Sequence, residues 1–257
     1  MNRSLAMPFA AALIGALVGF TAAPAVAAEF TPDQKSQIGE IVKDYLIHNP
    51  DALRAALDAL DKHDKEVEAD ARQSAVADQG SLLFSSPHQA DIGNPKGEAT
   101  LVEFFDYNCH YCKGALPDMA KLLQGDPNLK LVLKDFPVLG PGSVEAAKVA
   151  SAVRNQLHGD KFWQFHVKLL GSHGSVGKAE ALAVAKEMGV DMDRLNKDME
   201  SPEVTAGLQE VMRMADALQI NGTPTFVVGQ DVVVGAVGYD QLKQKLDSVH
   251  KCGHAVC

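Results

Sequence analysis

A Cys-x-x-Cys frame, Cys109-His110-Tyr111-Cys112, stands between an apolar run and a helical stretch, and it restricts the architecture more than any other feature of the chain. Upstream, Thr100-Leu101-Val102-Glu103-Phe104-Phe105 reads as a buried strand, and downstream helical spacing runs from Cys109 to Leu123. A cysteine where a strand gives way to a helix lies among unpaired backbone N–H groups at the positive end of the helix dipole. That setting stabilises thiolate over thiol and makes Cys109 the attacking sulfur. Two intervening residues leave Cys112 within bridging reach, so it can resolve a mixed disulfide. His110, when protonated, adds positive charge beside the thiolate.

Other chemistries compete for the same cysteines. A structural disulfide is one. Zinc is another, but it needs two further ligands, which Cys252 and Cys257 could supply only by folding the tail over the site. Haem attachment requires a histidine directly after the second cysteine, where Lys113 stands. The strand-to-helix position favours redox use. Glu103 agrees with it, because a carboxylate on an apolar strand is costly unless it has a role, the alternative being a solvent-facing position.

The rest of the catalytic block alternates in period. Leu129 to Phe136 reads as a second strand ended by Pro137, and Pro117 inside the first helix should kink it. Helical spacing then runs from Ser143 to Leu218, broken at Gly171-Ser172-His173-Gly174 and at Gly189. Strand character returns at Thr225 to Val228 and Val232 to Val237, and Asp240 to His250 reads as a last amphipathic helix with Asp240 as N-cap. Thr223-Pro224, just before the third strand, is a candidate cis peptide.

Ahead of this block, Ile38, Ile41, Val42, Tyr45 and Leu46 form an amphipathic stripe, and Asn49-Pro50 marks a helix boundary. Leu53, Leu57, Leu60, Val67 and Ala71 continue as a narrow seam interrupted by Asp64, with the charge run Asp61 to Arg72 as its solvated face. Gly80 to Gly97 reads as a loop or hinge. An apolar stripe of this kind marks a contact surface, so a homo-oligomer, dimer or trimer, is expected through residues 31 to about 75.

At the N-terminus, Arg3, the apolar run Phe9 to Phe20 and the small residues Ala25-Val26-Ala27-Ala28 read as an export signal cleaved near Ala27 or Ala28. An uncleaved membrane anchor is the alternative. Export to the periplasm places the chain where disulfides form and persist. A formal charge of −9 argues against non-specific nucleic-acid binding, and 46% hydrophobic with 22% charged residues excludes a mainly disordered chain.

The order strand, C-x-x-C, proline-containing helix, strand, helical insertion, Thr-Pro strand, strand, helix resembles the thioredoxin superfamily in its DsbA-like variant. Residues 103–113, Glu-Phe-Phe-Asp-Tyr-Asn-Cys-His-Tyr-Cys-Lys, are similar to the active-site stretch of that branch. Residues 44–50, Asp-Tyr-Leu-Ile-His-Asn-Pro, resemble the N-terminal arm of its ScsC-type members. The resemblance implies an α/β thioredoxin fold with an α-helical insertion, preceded by an N-terminal helical arm. It implies a nucleophilic Cys109, a resolving Cys112, a buried acid in Glu103 that handles the proton of the second cysteine, and a cis Pro224 whose neighbourhood, with Thr223, pairs with substrate. The His-Tyr dipeptide departs from the Pro-His of the archetypal DsbA oxidase and leaves the direction of electron flow open.

The expected organisation is therefore a signal peptide over residues 1–28, an oligomerisation arm over 29–80, a DsbA-like domain over 81–250 with its insertion at about 140–218, and a Cys/His tail over 251–257. In and beside that tail, Cys252 and Cys257 could form a second disulfide, or His250, Cys252, His254 and Cys257 could hold copper or zinc. The expected function is a periplasmic protein thiol–disulfide oxidoreductase without external cofactor, with the isomerase or reductase direction preferred. Its partners would be exported cysteine-containing proteins and a membrane redox partner, either reductase or oxidant. A monomeric DsbA-like oxidase and a copper- or zinc-binding protein are the alternatives.

Overall fold

The computed structural model describes residues 30–257, so the expected signal segment and its cleavage site at Ala27 or Ala28 lie outside the described residues. The chain divides into two compact units, one ending at Asp58 and the other running from Ala59 to Cys257. Among the described residues no helix is long and apolar enough to cross a membrane.

The first unit holds α1 (Pro32–His48) and the start of α2 (Pro50–Ser85). A capping box starts α1: Thr31 Oγ1 accepts from the Gln34 N–H, and Gln34 Oε1 accepts from the Thr31 N–H. Pro50 opens α2 where a missing N–H costs nothing. No residue of α1 is buried within the chain, and Ile41 in its apolar stripe is 68% exposed.

The second unit continues α2 and adds β1 (Ala90–Gly93), β2 (Ala99–Phe105), α3 (His110–Gly125), β3 (Leu129–Asp135) and α4 (Pro141–Val153). There follow α5 (Asp160–Leu170), α6 (Lys178–Glu187), α7 (Met192–Met199), α8 (Pro202–Ala217), β4 (Thr225–Val228), β5 (Asp231–Val234) and α9 (Tyr239–Cys252). The strands form one mixed sheet in the order β1-β3-β2-β4-β5, with β2 parallel to β3 and the other neighbours antiparallel. Leu101, Phe105, Leu131 and Leu133 join the core shared with α3, α9 and the inserted helices. Val102, Phe104, Val132 and Phe136 join a second core with Val76 and Leu83 of α2 and Val211 and Met214 of α8. Both faces are covered, which is why β2 and β3 read as nearly unbroken apolar runs.

The structure corrects three readings. The stretch from Gly80 to Gly97 is not a hinge: α2 runs through Gly80 to Ser85, and β1 follows. Glycine in a helix costs about 1 kcal/mol, but burial of Val76 and Leu83 outweighs it. The open carbonyls of the last turn are also answered, Leu82 O by Lys134 Nζ at 2.7 Å and Phe84 O by Lys130 Nζ at 2.7 Å. The last strand stops at Val234, short of Val237, because the chain turns at Gly235 with φ +89°. The N-cap of α9 is Gly238; Asp240 lies inside the first turn, where its charge favours the helix dipole.

Candidate active site

Strand β2 occupies the middle of the sheet, and its C-terminal end leads through Asp106-Tyr107-Asn108 into Cys109, the N-cap of α3. Cys109 has extended backbone angles, φ −73° and ψ 117°, and its sulfur accepts from the Cys112 N–H at 3.4 Å. Its thiol donates to the Thr223 carbonyl at 3.1 Å. Cys109 and Cys112 are free thiols, and both are buried. The Thr223–Pro224 peptide is cis, and β4 begins one residue later, antiparallel to β2, so its start faces the end of β2. His110 and Tyr111 sit exposed in the first turn of α3, ring edge against ring at 5.9 Å.

Glu103 is 1% exposed, opposite Leu133 on β3 and Phe226 on β4. Burial pushes its carboxyl up to about 8, so it carries its proton into the neutral range. The Cys112 thiol is held far above its ordinary range, first by burial and then by the negative charge of Glu103. A proton-holding acid thus shares the interior with a thiol that burial also holds protonated.

Sequence reasoning missed three groups around this pair. Asp106 is a buried carboxylate with four donors: the Asn108 N–H at 2.8 Å and Ser143 hydroxyl at 2.7 Å on Oδ1, and the Val138 and Leu139 N–H groups, each at 2.9 Å, on Oδ2. Asn108 donates from Nδ2 to Ser143 Oγ and to Val176 O, and accepts from the Val176 N–H on Oδ1. Asp135 is buried on β3 opposite Phe105; burial raises its carboxyl to about 7, against the pull of Arg154. The only signal for Asp106 and Asn108 was a polar residue on either side of Tyr107, with nothing to say which distant groups they meet.

Behind the site, burial lowers His166 to about 3, so its imidazole is neutral. It packs edge-on to Phe105 at 4.6 Å and stacks on Trp163 at 5.4 Å. Tyr107 Oη lies 3.4 Å from His166 Nδ1.

The Cys/His tail is elsewhere. Cys252 and Cys257 are joined by a disulfide, and Gly253 with φ +79° ends α9 between them. His250 is held by Asp126 through Nε2 at 2.8 Å, and Asp126 is the C-cap of α3. The tail therefore lies at the opposite end of α3 from Cys109, about 24 Å away along a helix of 16 residues. Shared zinc ligation by Cys109, Cys112, Cys252 and Cys257 is ruled out by that separation. Of the four tail ligands weighed for copper or zinc, two are consumed by the disulfide and His250 by its carboxylate partner. Among the described residues no group of three or more metal-ligating side chains converges.

Residues 100–247 match the family model described as the DSBA-like thioredoxin domain. The chain belongs to that family. Residues 34–66 match a second model, the N-terminal domain of the copper resistance protein ScsC. Among solved structures, a thioredoxin-like oxidoreductase from Silicibacter pomeroyi is 42% identical, covers 67% of this chain and 98% of its own, and superposes with a TM-score of 0.63. A linker-deletion variant of Proteus mirabilis ScsC is 25% identical over 88% of this chain and 99% of its own, with a TM-score of 0.64. A probable disulfide bond formation protein D from Bacillus anthracis is 24% identical, matching 66% of this chain and 82% of its own length. The chain spans only 25% of the length of the first curated relatives it matches, Na(+)/H(+) antiporters of Salinispora, at 30% and 27% identity. That match covers 62% of this chain.

Proposed function

We propose that this chain is a periplasmic protein thiol–disulfide oxidoreductase that works through Cys109 and Cys112 without an external cofactor. One observation carries the reading: the Cys109 sulfur caps α3 through the Cys112 N–H while resting against Thr223 O beside the cis Pro224. Family membership and the oxidoreductase named among the solved relatives support it. The apolar segment up to Ala28 supports export.

The Cys109 thiolate attacks one sulfur of a substrate disulfide, forming a mixed disulfide and releasing the other sulfur as a thiolate. Cys112 then loses its proton to ionised Glu103 and attacks Cys109, which closes the Cys109–Cys112 bond and frees the second substrate sulfur. The substrate gains two electrons and the cysteine pair loses them. In isomerisation, a thiol of the substrate itself resolves the mixed disulfide and Cys109 returns reduced. His110 adds positive charge beside Cys109 when protonated, and Thr223 with Pro224 receives the substrate strand.

The preferred direction is isomerase or reductase, with a membrane reductase keeping Cys109 reduced and exported cysteine-containing proteins as substrates. The unpaired apolar stripe of α1 and α2 supports a homo-oligomer that sets several active sites around one substrate. The competing reading, a monomeric oxidase served by an oxidant partner, is separated by two measurements on the full chain. Reactivation of scrambled ribonuclease with little oxidation of reduced ribonuclease supports isomerisation; oxidation of reduced ribonuclease without reactivation of the scrambled form overturns it.

A further inference from the structure

The chain carries two cysteine pairs with opposite placement, and only one has chemistry assigned to it. Cys109 and Cys112 are buried at the head of α3, whereas Cys252 and Cys257 are both exposed. Cys252 ends α9, and Cys257 closes an irregular segment of five residues that starts at Gly253. Cys257 lines an open groove of about 360 Å³ with Lys243, Gln244 and Ser248, which leaves room for another polypeptide at its sulfur.

The segment is built to close on itself. Gly253, with φ +79°, reverses the chain at the end of α9, and Ala255 is buried. Ala255 seats on the turn after β4, where a Cβ added to Gly229 would stand 3.3 Å from the Ala255 nitrogen. That seat and the helix end hold the two cysteines as neighbours. Closing so short a loop costs little entropy, so the tail disulfide forms readily once an oxidant reaches it.

The active site of the same chain is out of reach. Fully extended, residues 253–257 span about 17 Å. His250 ties the end of α9 to Asp126, the C-cap of α3, and Cys109 caps the other end of that helix, about 24 Å away. Cys257 therefore falls short of its own Cys109. A second copy has no such limit. Its Cys109 is nearly enclosed and rests against Thr223 O, so it takes a cysteine carried on an extended segment. Residues 253–257 lie outside any helix or strand and supply one while their disulfide is open.

We propose that Cys252 and Cys257 are a substrate of this chain's own active site, oxidised in trans by the Cys109–Cys112 disulfide of a second copy. The Cys257 thiolate attacks Cys109 of the oxidised copy, the Cys109–Cys112 bond breaks, and Cys112 leaves and takes up a proton. Cys252 then gives its proton to solvent and attacks Cys257, which closes the tail disulfide and expels the Cys109 thiolate. The tail loses two electrons and the catalytic pair gains them. The oxidant is the disulfide left at Cys109–Cys112 each time a substrate disulfide is reduced. The inference rests on the thiol–disulfide activity proposed above and names one of its substrates, a second copy with an open tail.

The test mixes isotope-labelled full chain, all four cysteines reduced, with unlabelled chain oxidised at Cys109–Cys112. Thiol trapping and mass spectrometry of the labelled peptide that holds Cys252 and Cys257 read the tail alone. The labelled tail is expected to oxidise roughly tenfold faster than with oxidised glutathione at the same concentration. In a second arm, Cys112→Ser carrying 5-thio-2-nitrobenzoate on Cys109 is mixed with reduced Cys109→Ser. A covalent pair of chains joined through Cys109 and Cys257 is expected, and adding Cys257→Ser to the reduced chain abolishes it. A tail rate equal to that with glutathione, in a chain that still reduces 5,5′-dithiobis(2-nitrobenzoate), overturns the proposal and leaves the activity standing. A chain that acts on neither the tail nor the small disulfide removes the activity itself, and the proposal with it.

Discussion

The Cys109 thiol donates to the backbone carbonyl of Thr223 across 3.1 Å, although 114 residues separate them in sequence. The contact follows from strand direction. Since β4 runs antiparallel to β2, its beginning meets the end of β2, and the residue before the cis proline faces the sulfur at the head of α3. The neighbouring Cys112 has no such outlet and lies wholly inside the core.

That asymmetry predicts unequal chemistry of the two thiols. Iodoacetamide at neutral pH alkylates Cys109 first, because burial keeps Cys112 protonated. Mass spectrometry of the singly labelled chain locates the adduct. Cys109→Ser abolishes turnover, whereas Cys112→Ser accumulates mixed disulfides with substrate; equal labelling at both positions contradicts the assignment.

The arm offers a prediction that leaves the catalytic unit untouched. Ile41 and Leu57 are largely exposed within one chain, so Ile41→Lys/Leu57→Lys places charge in any interface the stripe forms, at no cost to the buried core. Light scattering on the full mature chain is expected to change from oligomer to monomer. The variant should retain reduction of a small disulfide and lose most of the reactivation of scrambled ribonuclease. A wild-type chain already monomeric at micromolar concentration favours the oxidase reading.

Much of the fold was readable because its governing signals are local. Leu-Val-Leu in β3 and, but for Glu103, Leu-Val-Glu-Phe-Phe in β2 are apolar runs because helices cover both faces of the sheet. The cysteine frame announced its own position by following one of these runs. What escaped depends on distant partners. Gly80 looked like a break until Lys130 and Lys134, some fifty residues on, were seen to hold the end of α2. Strand β1 is four residues long and gains its identity only by pairing with β3. Asp106 and Asn108 looked like ordinary loop polar residues, since their partners lie in the segment 138–143 and at Val176.

Position in the fold separates the second cysteine pair from catalysis. Cys252→Ser/Cys257→Ser opens a short loop and releases Ala255, which is buried in the core beside the Gly229 turn. Loop-closure entropy for so short a ring amounts to about 2 kcal/mol, so urea denaturation should show a loss of that order. Peptide-disulfide reduction should stay within about twofold of wild type, the tail lying roughly 24 Å from Cys109 along α3. A large loss of turnover with full stability would mean that the tail takes part in electron transfer.

Glu103 links stability to pH through its burial. Its carboxyl titrates near 4.5 in an unfolded chain and at about 8 in the folded one. Between those values the folded state binds the extra proton, so stability falls as pH rises across the interval. Asp135, raised to about 7, contributes a slope of the same sign over a narrower range. Glu103→Gln removes its own share: the variant should match the wild type near pH 4 and exceed it near pH 8 by on the order of 4 kcal/mol. Urea denaturation of the reduced protein at both pH values measures this. The kinetic effect has the opposite value for the protein. In the proposed mechanism Glu103 accepts the Cys112 proton only once ionised, so resolution of a mixed disulfide should accelerate as pH rises through about 8. Glu103→Gln should flatten that profile and slow the step by at least tenfold at pH 8, within the range expected for loss of a general base. A variant that is more stable at pH 8 yet resolves mixed disulfides at the wild-type rate would confine Glu103 to a costly buried position with no part in proton transfer.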